Sequence, residues 1–200
     1  TAGLPELRQA CADWLQRRYD GLTVNPDTEV LPVLGSREAL FSFVQTVLNP
    51  VSDDLKPVVL SPNPFYQIYE GAAILGGGEI RFANCPAPSF KPDWKSITED
   101  VWQRTKVMFV CSPNNPSGSV LQLEDWQEIF DLQDKYGFII ASDECYSEIY
   151  FDGNKPIGGL QAAAQLGRGN RNIVMFTSLS KRSNVPGLRS GFVAGDAELL

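Results

Sequence analysis

Histidine is absent from all 200 residues. That excludes, within this chain, a Ser-His-Asp triad, a Cys-His pair and a histidine-based metal site. The four cysteines, at 11, 85, 111 and 145, form no C-x-x-C pair, so no zinc or other metal site is expected. Cys11, Cys111 and Cys145 lie in apolar stretches and read as buried, reduced thiols of a cytoplasmic protein. Positive charge is also short. Lys and Arg number 17 against 24 Asp and Glu, a net charge of −7 with no basic cluster, which argues against nucleic acid as a partner. The longest apolar runs fall far short of a membrane span. The opening TAGLPELRQA has neither a charged n-region nor an apolar h-region, and no initiator Met, so it reads as a processed chain or a piece of a longer one. No internal repeat or low-complexity segment interrupts the rest.

What is present is enough apolar residue for a core, 43% of the chain with 10% aromatics, arranged as alternating strand-like and helix-like stretches. Leu4, Leu7, Cys11, Trp14 and Leu15 follow helical spacing, with Pro5 early and Gly21 beyond the end. VLPVLGS is a short apolar run, and Ser36 opens a helical stretch through Leu40, Phe43, Val44 and Val47. PVVLS at 57–61 reads as a buried strand, then Tyr66 to Leu75 as a helix closed by Gly76-Gly77-Gly78. EIRFA and KVMFVC are strands on either side of a Pro-rich loop at 86–92. LEDWQEIFDLQDKYG is an amphipathic helix ending at Gly137. FIIAS, NIVMFTS and GFVAG complete seven strand candidates. Strands alternating with helices predict an α/β fold, a mainly parallel seven-stranded sheet with helices on both faces. The loops at 86–92 and 153–159 read as connections within a single unit spanning 1–200.

Ligands of such sheets bind at the carboxyl ends of the strands, and the polar residues collect there. Gly35-Ser36 follows the first strand, Pro62 to Tyr66 the second, Ser112 to Gly118 the fourth, Asp143 to Tyr146 the fifth and Ser178 to Lys181 the sixth. Without histidine, a lysine is the strongest nucleophile or base on offer. Lys181, among small residues after a strand, can form a Schiff base with an aldehyde. An aldehyde on a pyridine ring would need a carboxylate for the ring nitrogen, and Asp143 could serve. Tyr66 offers a stacking face, Asn115 and Tyr146 offer donors to a ring oxygen, and Ser36 and Arg37 open a helix N-terminus suited to a phosphate. Ser178 and the fork-shaped cation of Arg189 could join that phosphate. This is the inventory for pyridoxal 5'-phosphate.

The same residues resemble the fold-type I pyridoxal-phosphate enzymes, specifically the class I/II aminotransferases. Ser178-Leu-Ser-Lys181-Arg-Ser-Asn-Val-Pro-Gly187-Leu-Arg189-Ser-Gly191 is similar to that family's lysine signature. Asn115-Pro116-Ser117-Gly118, Asp143-Glu144-Cys145-Tyr146, Gly35-Ser36-Arg37-Glu38-Ala39 and Pro64-Phe65-Tyr66 resemble its other elements, in the family's order. The resemblance implies Lys181 as the catalytic amine, Asp143 on the pyridinium, Tyr146 and Asn115 on the ring oxygen, Tyr66 stacked on the ring, and Ser36, Arg37, Ser178 and Arg189 around the phosphate. It further implies amino-acid and 2-oxo-acid substrates and a homodimer. The wording of the lysine segment and of SPNPFYQIYEGAA is most similar to the branch that moves an amino group between N-succinyl-LL-2,6-diaminopimelate and 2-oxoglutarate in lysine biosynthesis. Family members are about twice this length. The resemblance therefore implies a cofactor-binding large domain that lacks the small C-terminal domain, the arginine for the substrate's α-carboxylate, and a tyrosine reaching across the dimer.

Plainer readings stand beside these. Asp143 alone could cap a helix, Asn115 to Gly118 alone is a β-turn, and Ser36 is a plausible N-cap under either reading. Tyr69, three residues after Tyr66, is split between site and core. Arg182 reads as a surface ion pair, and Asp53-Asp54, Glu124-Asp125, Asp131 and Asp134 as solvated surface. Other chemistry on the same cofactor, such as β-elimination, and a non-catalytic cofactor-binding module are the competing functions. A Rossmann nucleotide binder lacks support, because no G-x-G-x-x-G follows the first strand.

Overall fold

All seven strand candidates pair into one sheet. A computed structural model describes residues 2–48 and 55–200, so Asp53-Asp54 lies outside the described residues. The strands are β1 Val30–Val33, β2 Val58–Asn63, β3 Glu79–Asn84, β4 Thr105–Cys111, β5 Ile139–Asp143, β6 Ile173–Ser178 and β7 Gly191–Gly195, in spatial order β1-β7-β6-β5-β4-β2-β3. The β2–β3, β2–β4, β4–β5 and β5–β6 pairings are parallel, and β7 runs antiparallel to both β6 and β1. Two reversals restore direction, so β1 runs the same way as β6. Pro32 sits on β1 at the sheet edge, where a missing N–H is tolerated.

Side-chain alternation divides the interior into two layers. Val107 and Phe109 of β4 face one side with α2 (Ser36–Val47) and α3 (Ile68–Leu75). Met108 and Val110 face the other side with α1 (Pro5–Arg18), α5 (Leu123–Tyr136) and α6 (Gly159–Gln165). Burial on both faces is why the central strands read as continuous apolar runs. The α5 helix starts where the Asp125 carboxylate accepts the Gln122 N–H at 2.7 Å and stops at Gly137, whose φ of 75° is left-handed.

Three short helices escaped the sequence pattern: α4 (Glu99–Arg104), α6 and α7 (Leu179–Arg182). The expected 153–159 loop accordingly ends in α6, which begins at Gly159. The N-cap of α2 is Gly35, with Ser36 as the first helical residue. The acidic surface groups are partly paired: Asp125 meets Lys91 Nζ at 2.5 Å and Asp134 is gripped by Arg168. Arg182 makes no ion pair among the described residues; its guanidinium lies 4.1 Å from the Trp14 ring centroid. All four cysteines are free, and no helix among the described residues is long and apolar enough to cross a membrane.

Candidate active site

Sheet register sets the strand ends level with one another. Gly191, at the start of β7, pairs with Ser178 on one side and Val33 on the other. This puts the end of β1, the end of β6 and the Arg189-Ser190 approach to β7 on one edge. Asp143 pairs with Cys111 at the end of β4 and with Phe176 of β6. The loops after these ends enclose a cleft of about 460 Å³. Lys181, on the one-turn helix α7, and Asp143, at the last position of β5, both line it. Tyr66 enters from the segment before α3, Asn115 from the turn after β4, and Tyr146 from the turn after β5.

One end of the cleft is shaped for an anion. Ser36 and Arg37 begin the 12-residue helix α2, whose N-terminus carries no side-chain cap, leaving backbone N–H groups and the positive end of the dipole toward the cleft. Ser178 and Arg189 line the same space. Arg189 donates from Nη2 to Glu38 Oε2 at 2.7 Å. Gly35 makes this approach possible: its φ is 100°, and a Cβ there would lie 2.4 Å from Arg189 Nη2. A side chain at position 35 would evict the guanidinium.

At the other end the chemistry is that of a carboxylate awaiting a cation. Asp143 is buried; Oδ2 accepts from Tyr69 Oη at 2.7 Å and Oδ1 from the Cys145 N–H at 3.3 Å. It has no cationic partner among the described residues. Burial raises its proton affinity above the ordinary carboxylate value, and the hydrogen bonds from Tyr69 and Cys145 hold it down only in part. A protonated pyridine nitrogen would offset that penalty directly. Burial also raises the Tyr66 and Tyr146 hydroxyls, and the Asp143 charge adds to it, so both are donors at neutral pH. An uncapped helix N-terminus, a tyrosine ring, amide and hydroxyl donors, an amine and a lone buried carboxylate in one cleft are a set of groups that would fit pyridoxal phosphate.

The structure places all nine expected residues (Ser36, Arg37, Tyr66, Asn115, Asp143, Tyr146, Ser178, Lys181 and Arg189) on this cleft. Tyr69 does not line it: fully buried and stacked on Phe109 with 4.1 Å between centroids, it serves the site through Asp143. Sequence reasoning passed over Glu38, Ser180 and Cys145, which also line the cleft. The Cys145 thiol donates to Ser36 Oγ at 2.9 Å, linking the β5 turn to α2. Its position inside Asp-x-x-Tyr was the available signal.

The family model described as aminotransferase class I and II matches residues 1–200. The chain belongs to the class I and II aminotransferases. An LL-diaminopimelate aminotransferase of Dehalococcoides mccartyi is 37% identical over 203 residues, covering 100% of this chain and 49% of the relative. A solved aminotransferase from Neisseria meningitidis superposes with a TM-score of 0.97 at 82% identity, over 100% of this chain and 50% of that one. A structure from Thermus thermophilus, described as a probable N-succinyldiaminopimelate aminotransferase, gives a TM-score of 0.87 at 29% identity, over 98% of this chain and 50% of that one. This class I and II chain thus spans about half the length of the curated relatives it matches.

Proposed function

We propose that this chain carries the cofactor half of a pyridoxal-phosphate-dependent aminotransferase acting on a diaminopimelate-type amino acid. The observation that carries the reading is the meeting of Lys181, the cation-free Asp143 carboxylate and the uncapped α2 N-terminus in one cleft. Asp143 would hold the ring nitrogen, Tyr66 the ring face, and Asn115 and Tyr146 the ring oxygen. Ser36, Arg37, Ser178 and Arg189 would hold the phosphate. Bound pyridoxal phosphate supplies an electron sink that weakens the Cα–H bond of an attached amino acid. Lys181 Nζ would hold the cofactor through its aldehyde carbon and, once free, take the α-proton and return it.

The finer reading is transfer between N-succinyl-LL-2,6-diaminopimelate and 2-oxoglutarate. The wording of the lysine segment and the description of the Thermus structure support it; the names of the curated relatives favour free LL-diaminopimelate as donor. Supplying each donor with 2-oxoglutarate and identifying the amino product separates the two, and release of ammonia without amino transfer would mark β-elimination instead. A homodimer with the cleft near the interface is supported by two leucines beside the anion end, Leu34 at 78% and Leu188 at 65% exposure. The four unpaired cysteines support a reducing, cytoplasmic location.

Borohydride reduction of the protein with pyridoxal phosphate, followed by peptide mapping, tests the core of this reading. The expected result is a pyridoxyl group on Lys181. In the Lys181→Ala variant the label disappears and turnover falls by at least about 10²–10⁴-fold, while the cofactor still binds without covalent attachment. A label elsewhere, or normal turnover without Lys181, removes the assignment.

A further inference from the structure

Asp143 and Glu144 are neighbours, both buried carboxylates, and they leave β5 on opposite faces. Asp143 turns to the cleft and to Tyr69 of the α2–α3 layer. Glu144 turns the other way, to the layer that holds Tyr19. There its Oε2 accepts from Tyr19 Oη at 2.7 Å, and its Oε1 accepts from Ser142 Oγ at 2.9 Å and the Gly159 N–H at 2.8 Å. The backbone N–H of Glu144 donates to Phe176 O of β6 at 2.9 Å. A Cβ on Gly158 would lie 2.3 Å from Glu144 Oε2, so the seat admits the carboxylate only because position 158 has no side chain. Arg18, the last residue of α1, closes the far side: its Nη2 donates to Ser147 O at 2.8 Å and Pro156 O at 3.1 Å, and its Nε pairs with Glu148.

None of these groups lines the cleft, and the function proposed above does not use them. A buried carboxylate that accepts three hydrogen bonds is expensive to desolvate and is rigid once satisfied. Here that rigidity falls on the turn that carries Asp143 and Tyr146. We propose that Glu144 is a positioning residue: seated on Tyr19, Ser142 and Gly159, it fixes the β5 turn and so the aim of Asp143 and Tyr146 toward the cofactor. The inference rests on the functional reading above. It adds that Tyr19, which follows α1 and does not line the cleft, sets the cofactor's geometry through Glu144.

The test uses the full-length enzyme with pyridoxal phosphate and three variants: Glu144→Ala, Glu144→Gln and Tyr19→Phe. The measurements are the cofactor dissociation constant, the pH midpoint of the cofactor's absorbance band, and the melting temperature of the apoprotein. Glu144→Ala is expected to weaken cofactor binding about tenfold, as loss of an orienting outer partner does at other sites, and to shift the midpoint. Tyr19→Phe is expected to move both in the same direction by less. Glu144→Gln is expected to stay near wild type, because its carbonyl can accept from Ser142 and Gly159 while its amide donates to Tyr19 Oη. Tyr19→Phe removes one hydroxyl and leaves no large cavity, so it decides the matter if Glu144→Ala does not fold. Wild-type affinity and midpoint in folded Tyr19→Phe and Glu144→Ala would overturn the proposal. So would a Glu144→Gln variant as impaired as Glu144→Ala, since charge and not the seat would then be at work. Failure to label Lys181 in the wild-type enzyme is a separate result; it would sink the functional reading, and this one with it.

Discussion

Asp143 works against the fold until something positive sits beside it. Its proton affinity is raised by burial, so the folded apoprotein binds that proton more tightly than the unfolded chain does. Its contribution to stability therefore falls as pH rises from the unfolded carboxylate value through the folded one, so a penalty is present at neutral pH. Replacing Asp143 with Asn is expected to raise the neutral-pH melting temperature of the apoprotein, by about 2–4 °C for each kcal/mol relieved. The gain should fade below about pH 4, where the unfolded aspartate is protonated too. The same variant should bind pyridoxal phosphate more weakly, which an absorbance titration would show. A lower melting temperature for Asp143→Asn at neutral pH would mean that the carboxylate stabilises the apoprotein instead. Lys181 and Asp143 were legible in the sequence because each follows an apolar strand and stands in a motif. The role of Tyr69 was not legible: i, i+3 spacing suits both a shared helix face and a core pair, and α3 begins only at Ile68, after Tyr66. Glu144 carried no signal beyond an acid in apolar surroundings, since two of its three partners are 125 and 15 residues away in the chain.

Elements long enough to repeat their pattern were readable, and the short ones were not. The strands announced themselves as apolar runs, and α2 and α5 as amphipathic helices. Helices of four to seven residues, such as α7 and α6, complete too few turns to show a period. The α2 N-terminus was found, but Ser36 was a candidate cap when the cap is Gly35. The reason is steric: Arg189 needs the space that any Cβ at position 35 would fill. Gly35→Ala is accordingly expected to cost about 1–3 kcal/mol through its left-handed backbone, seen in thermal melts. It should also displace Arg189 and weaken binding of pyridoxal phosphate more than of pyridoxal, which lacks the anion.

At the scale of the molecule, two apolar layers clamp the sheet, and the cleft lies at the ends of its strands, away from the centre of either layer. Trp126 of α5 is fully buried, packs near Phe130 and sits close against Gly159 at the start of α6. Trp126→Ala is expected to destabilise by about 3–5 kcal/mol, lowering the melting temperature by about 6–20 °C. Cofactor affinity measured well below that transition should fall less than in Glu144→Ala, because Trp126 does not line the cleft and meets the Glu144 seat only by packing against Gly159. The mainly parallel sheet was predictable from strands alternating with helices. The strand order was not. Nothing in VLPV or GFVAG says that they are neighbours, because their pairing is made by backbone groups and spans about 160 residues of chain.

That pairing also sets a timetable. β7 lies between β6 and β1, so β1 has no strand partner in this sheet until β7 is made. Before residues 191–195 emerge, α2 can already pack on α3 and on Phe176 of β6, but no strand joins β1 to β6 and the approach that carries Arg189 is not held in register. The end of the cleft beside Gly35 is therefore expected to be fixed last, once β7 holds the Arg189 approach in register.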